Sequence, residues 1–401
     1  MSMFGWLESL FSRGGSSGAI LHVVGTEAGE PVTEAAALSL PVVSACLDIR
    51  AGLLSSLPLQ VFRRRDDGGR EPASDHPLAY VLARRPNAWQ SSWDWRQQMQ
   101  RDVDWHRNAY AEIIPGERGA VSELERLDPA VTWPEWIGGS LWYHTWSKKH
   151  GTRLLAAEEV FHLRCGPFTD DGLMGRPVLV THADTLGAAL AVHRYGQRFF
   201  RNNGEAGGIL EHPSFFKDRP ARDAFMESWR QARTGKHQHR DALLEFGIKY
   251  VRIQLDNEKA QFLETRKENA LEVARIWRIP PHKIGMLDRA TFSNIEHQAL
   301  EFLSDTALPV LEMWEQKINL DLIPDEDHYV EFNVAGLLRG DLKSQAEAFK
   351  MGREGGWLSI NDVRRMLNLN PIANGDDHLQ PLNMAPAGTR PDEAKPADRP
   401  A

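Results

Sequence analysis

The sequence predicts an α+β protein of several domains, and three observations carry that reading. The chain has 401 residues, more than one ordinary hydrophobic core accommodates. Eight of its thirteen tryptophans crowd between Trp89 and Trp146, inside a stretch of roughly residues 31–176 where helix-like and strand-like runs mix. Beyond residue 176 the pattern changes to long helical stripes interrupted by one small mixed insert.

Composition sets the outer limits. Apolar residues make up 42% and charged residues 25%, an ordinary soluble balance. The longest apolar runs fall far short of the ~20 residues of a membrane span, so no membrane partner is expected. Residues 1–20 do not read as a signal peptide: Glu8 interrupts the apolar part, and neither a basic region nor a clear cleavage site flanks it. Residues 1–30 read instead as a flexible arm, an amphipathic stretch followed by a Gly/Ser linker. Cys46 sits in an apolar helical pattern and Cys165 ends a strand-like run, ordinary thiols of a cytosolic chain rather than a disulfide framework. A formal net charge of −8 argues against tight gripping of nucleic acid, which needs a basic surface to displace counterions. It does not exclude a protein that lets DNA pass without holding it.

In chain order, Ser39 is the expected N-cap and Pro41 the first-turn residue of a helix whose apolar face is Val42, Val43, Cys46, Leu47, Leu53 and Leu54. Pro58 ends it, and LQVFRRR reads as a strand closing at DDGG. Residues 91–105 form a second helix, and 108–127 a hairpin around a Gly-containing turn. The tryptophan density is read as core packing, since each large aromatic buries much area. From Pro177 a single helix is expected to run to the Asn-Asn-Gly at 202–204, about 40 Å long at ~1.5 Å per residue. Gly187 and Gly196 inside it mark either close approach of a neighbour or tolerated glycine. The insert at 205–256 reads as a strand at GGILEH, a helix at RPARDAFMESWRQARTG and strands at ALLEFG and KYVRIQL. Residues 257–279 form another long helix, stopped by Pro280 and Pro281.

A short bridge follows, RIPPHKIGMLDRATF, and then Ser293 and Glu296 form an S-x-x-E capping box. The helix they open runs to about residue 322 with Pro309 inside it. Either it kinks there or two helices break near Asp305. HYVEFNV reads as a strand, 341–356 and 358–367 as helices, the second with Ser359 and Asp362 as capping pair. From Ala385 the composition is that of a disordered tail.

Catalytic constellations are weak. No P-loop, GxSxG, HExxH or CxxC is present. His237 and His239 lie in a polar segment without a spaced ligand set, His162 and Cys165 are three apart in an extended run, and the pairs Asp170–Asp171 and Asp376–Asp377 look like turn residues. Neither enzyme activity, nor a cofactor, nor a metal is expected.

The ordered series of segments resembles the portal proteins of tailed bacteriophages, specifically the long non-contractile-tail type. Its carriers are PVVSACLDIRAGLLSSLPLQVF, DHPLAYVLARRPN, RNAYAEI, VFHLRC followed by GRPVL, FLETRKENALEVARIWRIPPHKIG and SNIEHQALEFLSDTALPVLEMWEQKIN, spread from about residue 32 to residue 384.

The resemblance implies a ring of about twelve copies at one capsid vertex. It implies an α/β wing (31–176), an outgoing stem helix (177–203), a clip (204–256) and a returning stem helix (257–279). A tunnel loop (280–293), a kinked tunnel helix (294–322), a wing return with a short helical crown (323–384) and a disordered tail (385–401) complete the plan. Lys283, Ile284, Gly285, Met286, Leu287, Asp288 and Arg289 would face DNA, with Gly285 lending flexibility and Lys283 and Arg289 touching phosphate. The loop would project into a central hole rather than pack as core. Ser293, Glu296 and Pro309 would set the tunnel helix, and Lys236, His237, His239 and Arg240 would be exposed on the clip for docking. The implied partners are other copies of the chain, the major capsid protein, the terminase large subunit, head–tail adaptor proteins and double-stranded DNA bound without sequence preference. The implied location is the virion, after assembly in the bacterial host cytoplasm, and gene transfer agents use the same plan. A non-portal head or tail subunit and a histidine-dependent metallohydrolase are the alternatives.

Overall fold

A proline costs a helix nothing in its first turn, where its missing N–H would have no partner, and Pro41 opens the first long helix on that basis. The computed structural model describes residues 23–27, 29–66, 69–201, 208–213, 215–232, 247–252, 258–286, 298, 301–334, 342–367 and 369–378. Ser39 is not the cap of the helix at Pro41. A short helix α1 (Glu34–Leu38), capped by Thr33, precedes it, and Ser39 closes that one, its hydroxyl donating to the Ala36 carbonyl at 2.7 Å. The longer α2 (Pro41–Ser56) then starts from Leu40.

Next come β1 (Leu59–Arg64), β2 (Arg70–Pro72), α3 (Pro77–Ala83) and α4 (Ser92–His106), the last opened by a Ser91–Asp94 capping box. The expected hairpin is β3 (Asn108–Pro115) and β4 (Val121–Leu127), paired antiparallel from Tyr110↔Leu127. A meander follows, β5 (Trp133–Ile137), β6 (Ser140–Ser147) and β7 (Gly151–Ala156), and β8 (Val160–Arg164) returns to the free edge of β3.

Strand alternation turns these pieces into layers. Tyr110 and its cross-strand partner His162 face Tyr143 of the meander. Phe161 faces the other way, against Trp95 of α4 and Trp314. The tryptophan cluster is thus only partly core. Of the eight, Trp95 and Trp105 are buried, whereas Trp89, Trp93, Trp136 and Trp146 are exposed. Among the described residues the other buried tryptophans, Trp277 and Trp314, come from far along the chain.

The helix expected as one piece from Pro177 is two, α5 (Val178–Thr181) and α6 (Ala183–Arg201). His182 leaves the helical region between them. Asp184 in the first turn of α6 accepts from the Glu27 backbone N–H at 3.1 Å, so the restart is tied to the strap at residues 24–32. At ~1.5 Å per residue the 19 residues of α6 span about 28 Å, not 40. Both internal glycines mark close approach: a Cβ at Gly187 would meet the Thr26 side chain, and one at Gly196 the Phe262 ring.

The insert supplies β9 (Gly208–Glu211), α7 (Arg219–Ala232) and β10 (Lys249–Arg252), with β9 and β10 antiparallel. Residues 233–246, which include Lys236, His237, His239, Arg240 and most of the strand expected at 242–247, lie outside the described residues. The returning helix α8 (Glu258–Ile276) packs on α6, with the Tyr195 and Phe262 rings 5.5 Å apart.

The helix containing Pro309 neither breaks near Asp305 nor opens on described residues, since Ser293 and Glu296 lie outside them. Its path continues through a π-helical segment, Leu303–Ala307, into α9 (Leu308–Asp321). The wider turn places Pro309 at the start of a fresh α-helical ladder, where it displaces no hydrogen bond. β11 (His328–Phe332) then pairs with β1, giving the order β11-β1-β2.

This first unit ends at Phe332, and a second compact unit begins at Asn333. The second holds α10 (Leu342–Glu354) and α11 (Ile360–Met366), the latter with the expected Ser359–Asp362 capping box. Among the described residues no helix is long and apolar enough to cross a membrane.

Candidate functional site

The bridge after α8 is held at its base by three separate elements. Trp277 is fully buried, and its indole N–H donates to the Asp104 carbonyl of α4 at 2.9 Å. Arg50 of α2 donates to the Trp277 carbonyl at 3.0 Å and also pairs with the Asp104 carboxylate at 2.9 Å. Burial raises the Asp104 carboxyl above its ordinary range, and the Arg50 guanidinium opposes that shift. Arg278 adopts a left-handed backbone (φ 57°), which turns the chain out of the helix, and its carbonyl accepts from the Thr306 hydroxyl at 2.7 Å.

The bridge then begins as ordered structure. Pro280 and Pro281 lead into a 3₁₀ turn, Pro281–Ile284, closed by Gly285 at φ 80°, and the Met286 N–H returns to the Pro281 carbonyl at 3.0 Å. Ile279 is buried, and Ile284 packs on the core formed by α2, α6 and α8. Lys283 places its ammonium 5.1 Å from the centre of the Phe302 ring. The expectation that the bridge would not pack as core is therefore corrected for its first half. Prolines pre-set the extended turn, and two isoleucines have an apolar surface within reach. Leu287, Asp288 and Arg289 lie outside the described residues.

Sequence reasoning missed Arg50, Asp104 and Thr306. All three sit in runs that read as ordinary helix, and nothing local distinguishes a buried ion pair from a solvated one.

Residues that carry the resemblance meet at a second point. Asn108 donates to the Gly175 carbonyl at 2.7 Å and accepts from its N–H at 2.8 Å. A Cβ at Gly175 would lie 2.5 Å from the Arg107 carbonyl and 2.3 Å from that of Cys165, so only glycine fits. Asn108 also contacts His162 Nε2 at 3.2 Å, and His162 Nδ1 meets the Tyr143 hydroxyl. Burial holds the His162 imidazole well below its ordinary range, assisted by Arg164 and Lys317. His162 is thus a neutral structural link. Cys46, pushed up to about 12 by burial and by Asp104, is an inert thiol.

One group has metal-type spacing among the described residues: His76, Asp325 and His328. Protein groups already use several of its ligand atoms. His76 Nδ1 caps α3 by accepting from the Leu78 N–H, His328 Nδ1 bonds Asp325 at 2.7 Å, and His328 Nε2 accepts from Arg63 Nε at 3.2 Å. The guanidinium of Arg63, which also reaches Asp75 at 3.3 Å, supplies the positive charge there. This cluster fastens the turn before β11 to β1 and α3.

The profile of the phage portal protein family matches residues 41–368. The portal protein of Enterobacteria phage HK97 is 29% identical over 355 residues, 87% of this chain and 83% of that one. A probable portal protein of Streptomyces phage phiC31 is 32% identical over 217 residues, covering 52% of this chain and 47% of the relative. Among solved structures, an HK97-family phage portal protein from Corynebacterium diphtheriae superposes with a TM-score of 0.57 at 16% identity, over 80% of this chain and 98% of the other. A chain in the neck of an empty gene transfer agent particle, computed with C6 symmetry, gives 0.58 at 20% identity over 83% and 91%. The match spans the anchored bridge, both long helices, the layered sheets and most of the second unit: this chain belongs to the phage portal protein family, a family of structural rather than catalytic proteins.

Proposed function

We propose that copies of this chain close into a ring at one vertex of a phage or gene-transfer-agent capsid. Double-stranded DNA is packaged through the central channel and later ejected through it. The observation that carries this reading is the family match over residues 41–368, which takes in nearly every described element. The arrangement within that span supports it. α6 and α8 lead out to and back from the 208–252 insert, as a stem leads to a clip, and α8 returns to the anchored turn Pro281–Ile284. The meander and the sheet β4-β3-β8 serve as wing, and the unit from Asn333 onward as crown. Leu287, Asp288 and Arg289 form the channel-facing part of the tunnel loop. Lys283, Ile284 and Met286 serve as its foundation, and Gly285 as its turn.

The net charge of −8 per copy favours passage. An acidic channel repels phosphates from the walls and leaves few counterion-releasing contacts to break at each step. No nucleotide-binding motif accompanies the ring, so the energy for translocation comes from a terminase motor docked at the clip, with Lys236, His237, His239 and Arg240 as candidate contacts. Head–tail adaptor proteins take that place after packaging, and the wing contacts the major capsid protein.

Negative-stain electron microscopy with native mass measurement of the purified chain tests this. Closed rings of about twelve copies with a hole wide enough for duplex DNA are expected. Assemblies without such a hole would favour a non-portal head or tail subunit.

A further inference from the structure

A closed ring needs a heterologous contact, in which one patch of each copy meets a different patch on the next. α8 carries two such patches. On one side lies an apolar groove of about 410 Å³, bounded by Pro41, Val192, Leu263, Ala270, Ile284 and Met286. Leu263 is 55% exposed, a large apolar side chain without cover. Among the described residues that line the groove, His193, Arg266 and Lys267 are basic and none is a carboxylate.

The other side is acidic. With 3.6 residues per turn, Glu264, Glu268 and Glu272 fall on an arc roughly 150° around the helix from the groove-facing residues Leu263, Arg266, Lys267 and Ala270. All three carboxylates are exposed. Arg275 pairs with Glu268 at 3.2 Å, so three negative charges less one positive leave the stripe net acidic.

The two patches also share a level. A rotation about the ring axis moves no residue along that axis, so contacting patches on a helix running with it must lie at equal height. Glu264 and Glu268 bracket Arg266 and Lys267, each within about 4.5 Å of helix rise of both, and Glu272 lies about 8 Å further along, within reach of a long side chain.

We infer that α8 is a contact between neighbouring copies. The stripe of Glu264, Glu268 and Glu272 on one copy faces His193, Arg266 and Lys267 of the next, and that neighbour's body covers the apolar groove. This rests on the ring reading above and assigns its residues. The complementary charges set register and suppress wrong pairings, while the groove contributes the apolar burial.

The test compares the wild-type chain with Glu264→Lys/Glu272→Lys and Arg266→Glu/Lys267→Glu, alone and mixed in equal amounts, by native mass spectrometry over a concentration series. Glu268 is left in place to keep its pair with Arg275. Each double variant alone is expected to need at least tenfold more protein for half-assembly. The mixture is expected to assemble near the wild-type concentration as alternating rings, since each reversed stripe then meets a reversed groove. Rings from either variant at the wild-type concentration would overturn the inference, as would impairment that mixing does not rescue. A wild-type chain that stays monomeric at every concentration would instead sink the ring reading itself. Should a reversed variant lose its thermal midpoint, single variants Glu264→Cys and Lys267→Cys decide: oxidised mixed rings give cross-linked pairs absent from either alone, and rings without them refute the contact.

Discussion

The Thr306 hydroxyl donates to the Arg278 carbonyl at 2.7 Å, bridging the end of α8 and the π segment before α9. These two points bracket the bridge, so one hydrogen bond closes its base. The bridge leaves and rejoins the body at a fixed spacing whatever its tip does. Thr306 is buried, and its partner carbonyl belongs to a residue with a left-handed backbone. Thr306→Val keeps the shape and removes the donor. It is expected to cost about 1 kcal/mol, with Thr306→Ser close to wild type, read from urea denaturation midpoints.

A larger effect is expected at Arg50. Its partner Asp104 is fully buried, and Arg50 is the nearest charge opposing the burial penalty. Arg50→Met removes that carboxylate's ion-pair partner, leaving Gln100, Arg107 and Arg101 to oppose its burial, and removes the donor to the Trp277 carbonyl, for a loss of about 3 kcal/mol. Adding Asp104→Leu removes the orphaned charge, and the double variant should recover a large part of the loss. A double-mutant cycle on the denaturation midpoints measures the coupling, and additive losses would mean the pair acts through packing alone.

His162 gives stability a pH dependence of known sign. Its folded-state value is depressed by burial first, so from about pH 6.5 downward the unfolded chain takes up a proton that the folded chain refuses. The stability this group protects is fully present above that value and is lost as pH falls toward the folded one. The limiting slope is about 1.4 kcal/mol per pH unit. His76 and His182 are lowered by burial too and act in the same direction. Asp102, raised to about 6 by burial, acts with the opposite sign over the same range in both chains, so the effect is read as a difference: between pH 7 and pH 5 the unfolding midpoint of His162→Gln should lose less than that of the wild type.

The two halves of the bridge should separate by deletion. Removing residues 287–291 spares Ile284 and the Lys283–Phe302 contact, so the thermal midpoint and ring formation should match wild type while DNA packaging or retention falls. Removing 283–291 also strips Ile284 from the core and should lower the midpoint. Equal midpoints for the two deletions would show that the base does not depend on these side chains.

Much of this protein follows from local chemistry alone. Pro41, Pro58 and Pro280–Pro281 delimit helices because a proline ring dictates its own backbone wherever it occurs. The Ser359–Asp362 box and the Tyr110–Leu127 hairpin were legible for a similar reason, since a cap or a tight turn involves only near neighbours. The ordered series of such segments was enough to reach the family.

What required the tertiary structure is whatever depends on a partner distant in the chain. Ser39 has the chemistry of a helix start but ends a helix, because Thr33 had already capped one. Pro309 reads from sequence as an interior proline, yet a π turn upstream puts it in the first turn of a fresh α-helical ladder. Eight clustered tryptophans suggested core, but four of them are exposed: Trp136 and Trp146 on strands, Trp93 on α4 and Trp89 in the turn before it. The groove beside α8 exists only because Pro41, Val192 and Ile284, from three separate stretches, converge on it. Periodicity assigns a residue to one side of its own helix or strand; only the packing of the other elements decides whether that side meets core, solvent or another copy.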